Sequence, residues 1–220
     1  MHNLIDVIME NQDYIMQVVM DETGKPIQEA MSMEIYSAID SLAFYAKRAP
    51  KWLKDESRSM HGPMQFLKKT KVAFKPRGVI GVITPWNGPF ILSINPAIQA
   101  VLAGNSVIIK PSEVTPKSGM LVEEMFKKAD APDNLVQVLI GDGQVGADLI
   151  NLKPDKVSFT GSIKTGKLIA RQCGESLIPF SLELGGKDAM IVCDDADIDD
   201  AAKGAVIGLS LIHISEPTRP

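Results

Sequence analysis

Val157-Ser158-Phe159-Thr160-Gly161-Ser162-Ile163-Lys164-Thr165-Gly166-Lys167, leading on to Ser181-Leu182-Glu183-Leu184-Gly185-Gly186-Lys187, is the stretch whose reading decides the fold. The first run reads as a strand, a tight turn and a helix. Val157 and Phe159 alternate with polar neighbours, as a half-buried strand does. Gly161 permits a turn that a Cβ would obstruct. Ser162 is placed to cap the helix, whose free first-turn N–H groups form an anion site suited to a phosphate or pyrophosphate. The second run ends a strand on Glu183 followed by two glycines, a place where a general base could stand. Read alone, the same turn could be structural and Glu183 a solvated acid.

Outward from this stretch, strand and helix patterns alternate. Residues 79–83, 107–109, 135–140, 178–182 and 189–192 read as further strands. Residues 90–102, with Pro96 as an interruption, and 117–129, 144–150 and 198–209 read as helices, and the helix after Gly161 runs to Arg171. Alternation of this kind predicts an α/β fold: a Rossmann-like parallel sheet with helices on both faces. Ligands of such sheets sit at the carboxyl ends of the strands, which is where Asn87, Lys110, Ser162 and Glu183 fall.

Residues 1–65 are expected to form an N-terminal helical segment. Residues 4–19 give one or two amphipathic helices. Gly24 and Pro26 break them, and 27–53 is helical again, with Ile35, Ala38, Ile39, Leu42 and Tyr45 on one stripe. Residues 57–65 read as a loop. Phe66, Val72 and Phe74 alternate with Lys69, Lys71 and Lys75 over 66–75, the pattern of an edge strand guarded by lysines. A cofactor-binding domain is expected over 66–209.

Composition excludes several classes. A net charge of −4 argues against a nucleic-acid or anionic-membrane partner. There is no run of eighteen apolar residues. Met1 to Glu10 shows no basic n-region, so no signal peptide is expected. Two cysteines, Cys173 and Cys193, cannot make a disulfide framework and suit a reducing, cytoplasmic setting; each reads as a small buried hydrophobe. His2, His61 and His213 lack metal-ligand spacing, so no metal site is expected.

Two motifs mislead. Gly141-Asp142-Gly143-Gln144-Val145-Gly146 fits G-x-G-x-x-G, but no acid follows at the end of the next strand, so the turn reads as structural. Gly161 to Lys167 fits the start of a Walker A loop, yet Leu168 stands where a Mg²⁺-binding Ser or Thr is required. A P-loop-like phosphoryl-transfer protein is therefore the alternative class, and a non-catalytic nucleotide-binding module the third.

Four signatures occur in order: Thr84-Pro85-Trp86-Asn87, Lys110-Pro111-Ser112-Glu113, Phe159-Thr160-Gly161-Ser162 and Leu182-Glu183-Leu184-Gly185-Gly186-Lys187. Over 4–209 the sequence resembles the aldehyde dehydrogenase superfamily, the succinate-semialdehyde type above all. The resemblance implies NAD- or NADP-dependent oxidation of an aldehyde to a carboxylic acid. A cysteine thiolate attacks the aldehyde, hydride passes to nicotinamide, and a glutamate activates the water that hydrolyses the thioester. Carried over, Asn87 would donate to the forming oxyanion and Glu183 would be the general base. Lys110 and Glu113 would hold the adenosine ribose and Ser162 the pyrophosphate. Ile83, Thr84, Pro85 and Trp86 would line the cleft, with Ser112, Gly143, Phe159, Thr160, Gly161, Gly166, Leu184 and Gly185 completing the cofactor set. Glu113 leans the choice toward NAD, because a carboxylate repels a 2′-phosphate. The full-length parent is expected to be a homo-oligomer, with 66–75 as its oligomerisation strand.

The family's nucleophile belongs in a Gly-Gln-x-Cys run, expected near Pro217 and absent. Residues 210–220 read as an aberrant tail. The chain is thus expected to be a fragment that lacks the nucleophile and is inactive alone.

Overall fold

The structure, a computed structural model, describes residues 1–186 and 189–208. Two helices open the chain, α1 (His2–Glu10) and α2 (Gln12–Thr23). They bury Leu4 and Ile8, then Ile15, Met16 and Val19, at helical spacing. Gly24 ends α2 with φ 72°, a left-handed cap that glycine adopts without strain. After Pro26 come α3 (Ile27–Glu29), a π-helical segment (Ala30–Tyr36) and α4 (Ser37–Trp52). Ile35, Ala38 and Leu42 are buried, and Ile39 and Tyr45 pack against them, as the expected stripe requires.

Next come two short strands, β1 (Glu56–Arg58) and β2 (Thr70–Val72), paired antiparallel from Glu56 opposite Val72 to Arg58 opposite Thr70. The edge strand expected over 66–75 is therefore only Thr70–Val72. It is preceded by a 3₁₀ turn at Pro63–Phe66, and its partner lies in a segment read partly as loop. Every residue of both strands is exposed, so no burial pattern marked their limits.

The remaining elements alternate: β3 (Val79–Ile83), α5 (Ile91–Leu102), β4 (Ser106–Lys110), α6 (Pro116–Lys128), β5 (Val136–Val138), α7 (Gly143–Asn151), β6 (Lys156–Gly161), α8 (Ile163–Glu175), β7 (Phe180–Leu184) and α9 (Ile198–Gly208). The strands form one parallel sheet in the order β5-β4-β3-β6-β7. α5 runs through Pro96 as one helix. β7 starts two residues later than expected because the N–H of Ile178 turns back to the Cys173 carbonyl at 2.9 Å, closing α8. Residues 189–192 form no strand, and Ile191 is 84% exposed. The expectations for Lys187, Leu209 and 210–220 lie outside the described residues.

The sheet's two faces bury different partners. Ile80 and Val82 of β3 and Val107 and Ile109 of β4 join a core shared with α1, α2, α4, α5 and α6. Ile83, Val157 and Phe159 face Leu149 and Ile150 of α7 and Ile169 and Cys173 of α8. The N-terminal helices are thus welded to the sheet. Polar contacts reinforce this: Glu22 of α2 accepts from the N–H groups of Lys117 and Ser118, at 2.9 and 2.7 Å, in the first turn of α6. Thr115 sits at that helix's N-cap position with a buried hydroxyl that has no partner among the described residues, and the N–H groups of Lys117 and Ser118 go to Glu22 instead.

A shared core predicts one cooperative unfolding unit. Leu42→Ala, at a position 0% exposed, should cost about 2–5 kcal/mol. Circular dichroism and tryptophan fluorescence should then report one coincident, shifted denaturant transition; two separated transitions would refute the shared core.

Candidate functional site

The strand order places a switch point between β3 and β6. The chain leaves β3 toward β4 and β5, then returns across the sheet to β6 and β7, so loops diverge from the strand tips there and leave a crevice. A cleft of about 510 Å³ opens at this place. The end of β3 and the loop after it bring Ile83, Thr84, Pro85, Trp86 and Asn87 to it, and the end of β4 and the loop after it bring Lys110, Ser112 and Glu113. Gly143 comes from α7, and Phe159, Thr160, Gly161 and Ser162 from β6 and the turn after it.

Ser162 caps α8: its Oγ accepts from the Thr165 N–H at 3.2 Å. A helix start of this kind leaves further first-turn N–H groups outside the helix's own ladder. A Cβ at Gly161 would fall 2.7 Å from the Phe159 ring, so the turn has to be glycine for the ring to lie beneath it. At Gly146 a Cβ would sit 3.6 Å from the Lys110 stem and 3.7 Å from Ile83, taking up cleft space.

Lys110 ends β4 and is 3% exposed, with its Nζ 3.2 Å from Glu113 Oε2. Glu113 lies at the rim with its side chain 57% exposed. The pair leaves a carboxylate at the mouth and a buried cation behind it. Asn87 is 6% exposed, and its Oδ1 has no partner among the described residues. An unpartnered buried acceptor is costly where nothing binds, and Asn87 faces both this cleft and a smaller chamber with Lys25 and Trp86 on its walls.

Four expected residues stand apart from the cleft lining: Gly166, Glu183, Leu184 and Gly185. Gly166 packs against Leu184, where a Cβ would meet its Cδ2 at 2.5 Å. Glu183 is exposed on β7, opposite Thr160 of β6 and therefore one strand beyond the cleft wall. The lining also includes Gly146, Ala147 and Ile150 on α7, and Thr165, Leu168, Ile169 and Gln172 on α8. These repeat at three- and four-residue steps. Continuing each strand–turn–helix motif through two further helical turns would have found them.

The Walker A reading fails on geometry. Thr165, Gly166 and Lys167 already lie in the first turns of α8, so no phosphate-wrapping loop exists between Gly161 and Lys167. Among the described residues no group of three His, Cys, Asp or Glu is placed to hold a metal, and no helix is long and apolar enough to cross a membrane.

Sheet order and cleft define a Rossmann-like α/β protein. Residues 1–213 match the aldehyde dehydrogenase family, and the chain belongs to it. It is 45% identical over 202 residues to a 4,4'-diapolycopene aldehyde oxidase of Methylomonas sp, covering 91% of this chain and 38% of that protein. It is 41% identical over 205 residues to a Mycolicibacterium smegmatis protein whose name assigns it, provisionally, as an NADP(+) succinate-semialdehyde dehydrogenase, covering 93% and 39%. Among solved structures, an NAD+ complex of aldehyde dehydrogenase from Bacillus cereus superposes with a TM-score of 0.86 at 33% identity, over 96% of this chain and 42% of that one. An E. coli NADP dependent enzyme gives 0.86 at 33%, over 95% and 43%. The chain therefore spans about two fifths of the length of these relatives.

The two thiols differ sharply. Cys173 is buried in α8, and that burial pushes its thiol above the ordinary thiol range. Burial disfavours the thiolate, so the folded chain loses stability only as pH rises past the ordinary thiol range, where the unfolded chain ionises first. Cys193 is exposed, contrary to its reading as a buried hydrophobe. At neutral pH a thiol reagent should label Cys193 rapidly and Cys173 only after unfolding. Rapid labelling of Cys173 in the folded chain, followed by mass spectrometry of peptides, would contradict its placement.

Proposed function

We propose that this chain is the dinucleotide-holding part of an NAD(P)-dependent aldehyde dehydrogenase, a protein that oxidises an aldehyde to a carboxylic acid. The observation that carries the reading is the convergence of three separate signatures, at 83–87, 110–113 and 159–162, on one cleft at the sheet's switch point. The residues fit a dinucleotide. Ser162 and the first turn of α8 suit the pyrophosphate, because a helix N-terminus carries N–H donors that its own ladder leaves unpaired. Lys110 and Glu113 suit the ribose hydroxyls, one as donor and one as acceptor. Gly146 and Gly161 let a flat ligand approach the backbone.

When bound, the nicotinamide supplies the hydride acceptor. The chain's own residues bind and orient. Asn87, buried beside the cleft, donates its amide to the substrate oxygen as negative charge grows there. Glu183, one strand over from Thr160, takes the proton of the water that releases the acid. NAD+ is favoured over NADP+ because the exposed Glu113 carboxylate meets a 2′-phosphate at the rim. The same reading makes 1–65 a helical layer and 66–209 the cofactor domain. It gives the exposed β1–β2 ribbon to self-association of a homo-oligomer in the cytoplasm.

Titration of NAD+ and NADP+ into the chain, followed by calorimetry, tests this. Binding of NAD+ tighter than NADP+ is expected. Glu113→Gln should shrink that preference by about fivefold, the size of a unit-charge repulsion at contact distance in water. Absence of binding of either dinucleotide would defeat the proposal.

A further inference from the structure

α5 begins directly after the loop that carries Trp86 and Asn87, yet it has no local cap: Phe90 occupies the N-cap position and offers no side-chain acceptor. Glu34, from the π-helical segment of the N-terminal layer, supplies one. Its Oε2 accepts from the N–H of Phe90 at 3.1 Å and of Ile91 at 2.9 Å. Its Oε1 takes the ammonium of Lys25. The two side chains are 0% and 4% exposed.

A carboxylate is attracted to a helix N-terminus. Buried, it is tolerated only when paired and hydrogen-bonded on both oxygens. Both conditions hold. A Ser, Thr, Asp or Asn at position 90 would have satisfied the same N–H groups locally. A cap from 56 residues away does something a local cap does not: it fixes where α5 starts relative to the N-terminal layer. The loop's other end is also pinned. Thr84 donates its N–H to the Lys110 carbonyl at 3.2 Å, and its hydroxyl bonds Ser93 at 2.9 Å, buried. Lys25 itself shares the small chamber beside the cleft with Trp86 and Asn87.

We infer that Glu34 and Lys25 are positioning residues: the pair holds the Trp86–Asn87 loop in the geometry the cleft requires, and so controls ligand affinity as well as stability. The affinity half of this inference rests on the cleft being the dinucleotide site.

The test compares two charge-neutral pairs in a Trp52→Phe background, where Trp86 is the sole tryptophan. Lys25→Met with Glu34→Gln keeps an acceptor for the Phe90 and Ile91 N–H groups. Lys25→Met with Glu34→Leu removes it at similar volume. Neither leaves a buried unpaired charge. The Gln pair should bind NAD+ within about twofold of the parent and keep its Trp86 emission maximum. The Leu pair should bind roughly tenfold more weakly, the scale of one lost buried hydrogen bond, with a red-shifted Trp86 emission. Equal affinity and equal emission in the two pairs, whatever their melting temperatures, would overturn the inference. Should the Leu pair not fold, Lys25→Met with Glu34→Ala, which admits water to the freed N–H groups, takes its place. A parent chain that binds no NAD+ would sink the cofactor reading alone, and the Trp86 emission comparison would still decide whether the pair places the loop.

Discussion

Every α-helix starts with N–H groups that its own ladder leaves unpaired, and in this fold the four helices α5 to α8 present theirs at one end of the sheet. How those donors are satisfied organises the molecule. α7 and α8 use residues of their own turns, Asp142 and Ser162. α5 and α6 instead borrow carboxylates from the N-terminal layer, Glu34 and Glu22. The N-terminal helices therefore do more than cover apolar surface. They complete the electrostatics of the sheet's ligand-facing end, and their apolar stripes merge with the core behind it.

The cleft follows from topology together with this arrangement. Crossovers that diverge on either side of β3 and β6 leave a gap that no side chain of the sheet can fill. The gap is walled by α7, α8 and the β3 loop, and Lys110, Glu113, Ser162 and Asn87 are among its polar lining.

Much of this was legible in the sequence, and the failures share physical causes. The all-apolar run 79–83 and the turn at Gly161 announce themselves because a central parallel strand and a close ring–backbone contact leave few residue choices. The strand at 56–58 and the limits of the one at 70–72 were obscured because these residues are exposed throughout. Residues 189–192 look like a strand, yet strand formation needs a neighbour as much as propensity, and none among the described residues pairs with them. The start of β7 was misplaced since Ile178 serves the end of α8. Glu22 and Glu34 were invisible for another reason. A carboxylate on an amphipathic helix looks solvated, and its partner lies 95 residues away in one case and 56 in the other. Local pattern carries no trace of such a bond.

The contact between Gly166 and Leu184 has a mechanical side. With no side chain at 166, the tip of β7 rests directly against the opening turns of α8. Thr160 opposite Glu183 and Gly161 opposite Leu184 tie the same tip to β6. The opening turns of α8 and the strand end bearing Glu183 are consequently in direct contact. A side chain at 166 would therefore have to push the β7 tip, and Glu183 with it, away from the start of α8.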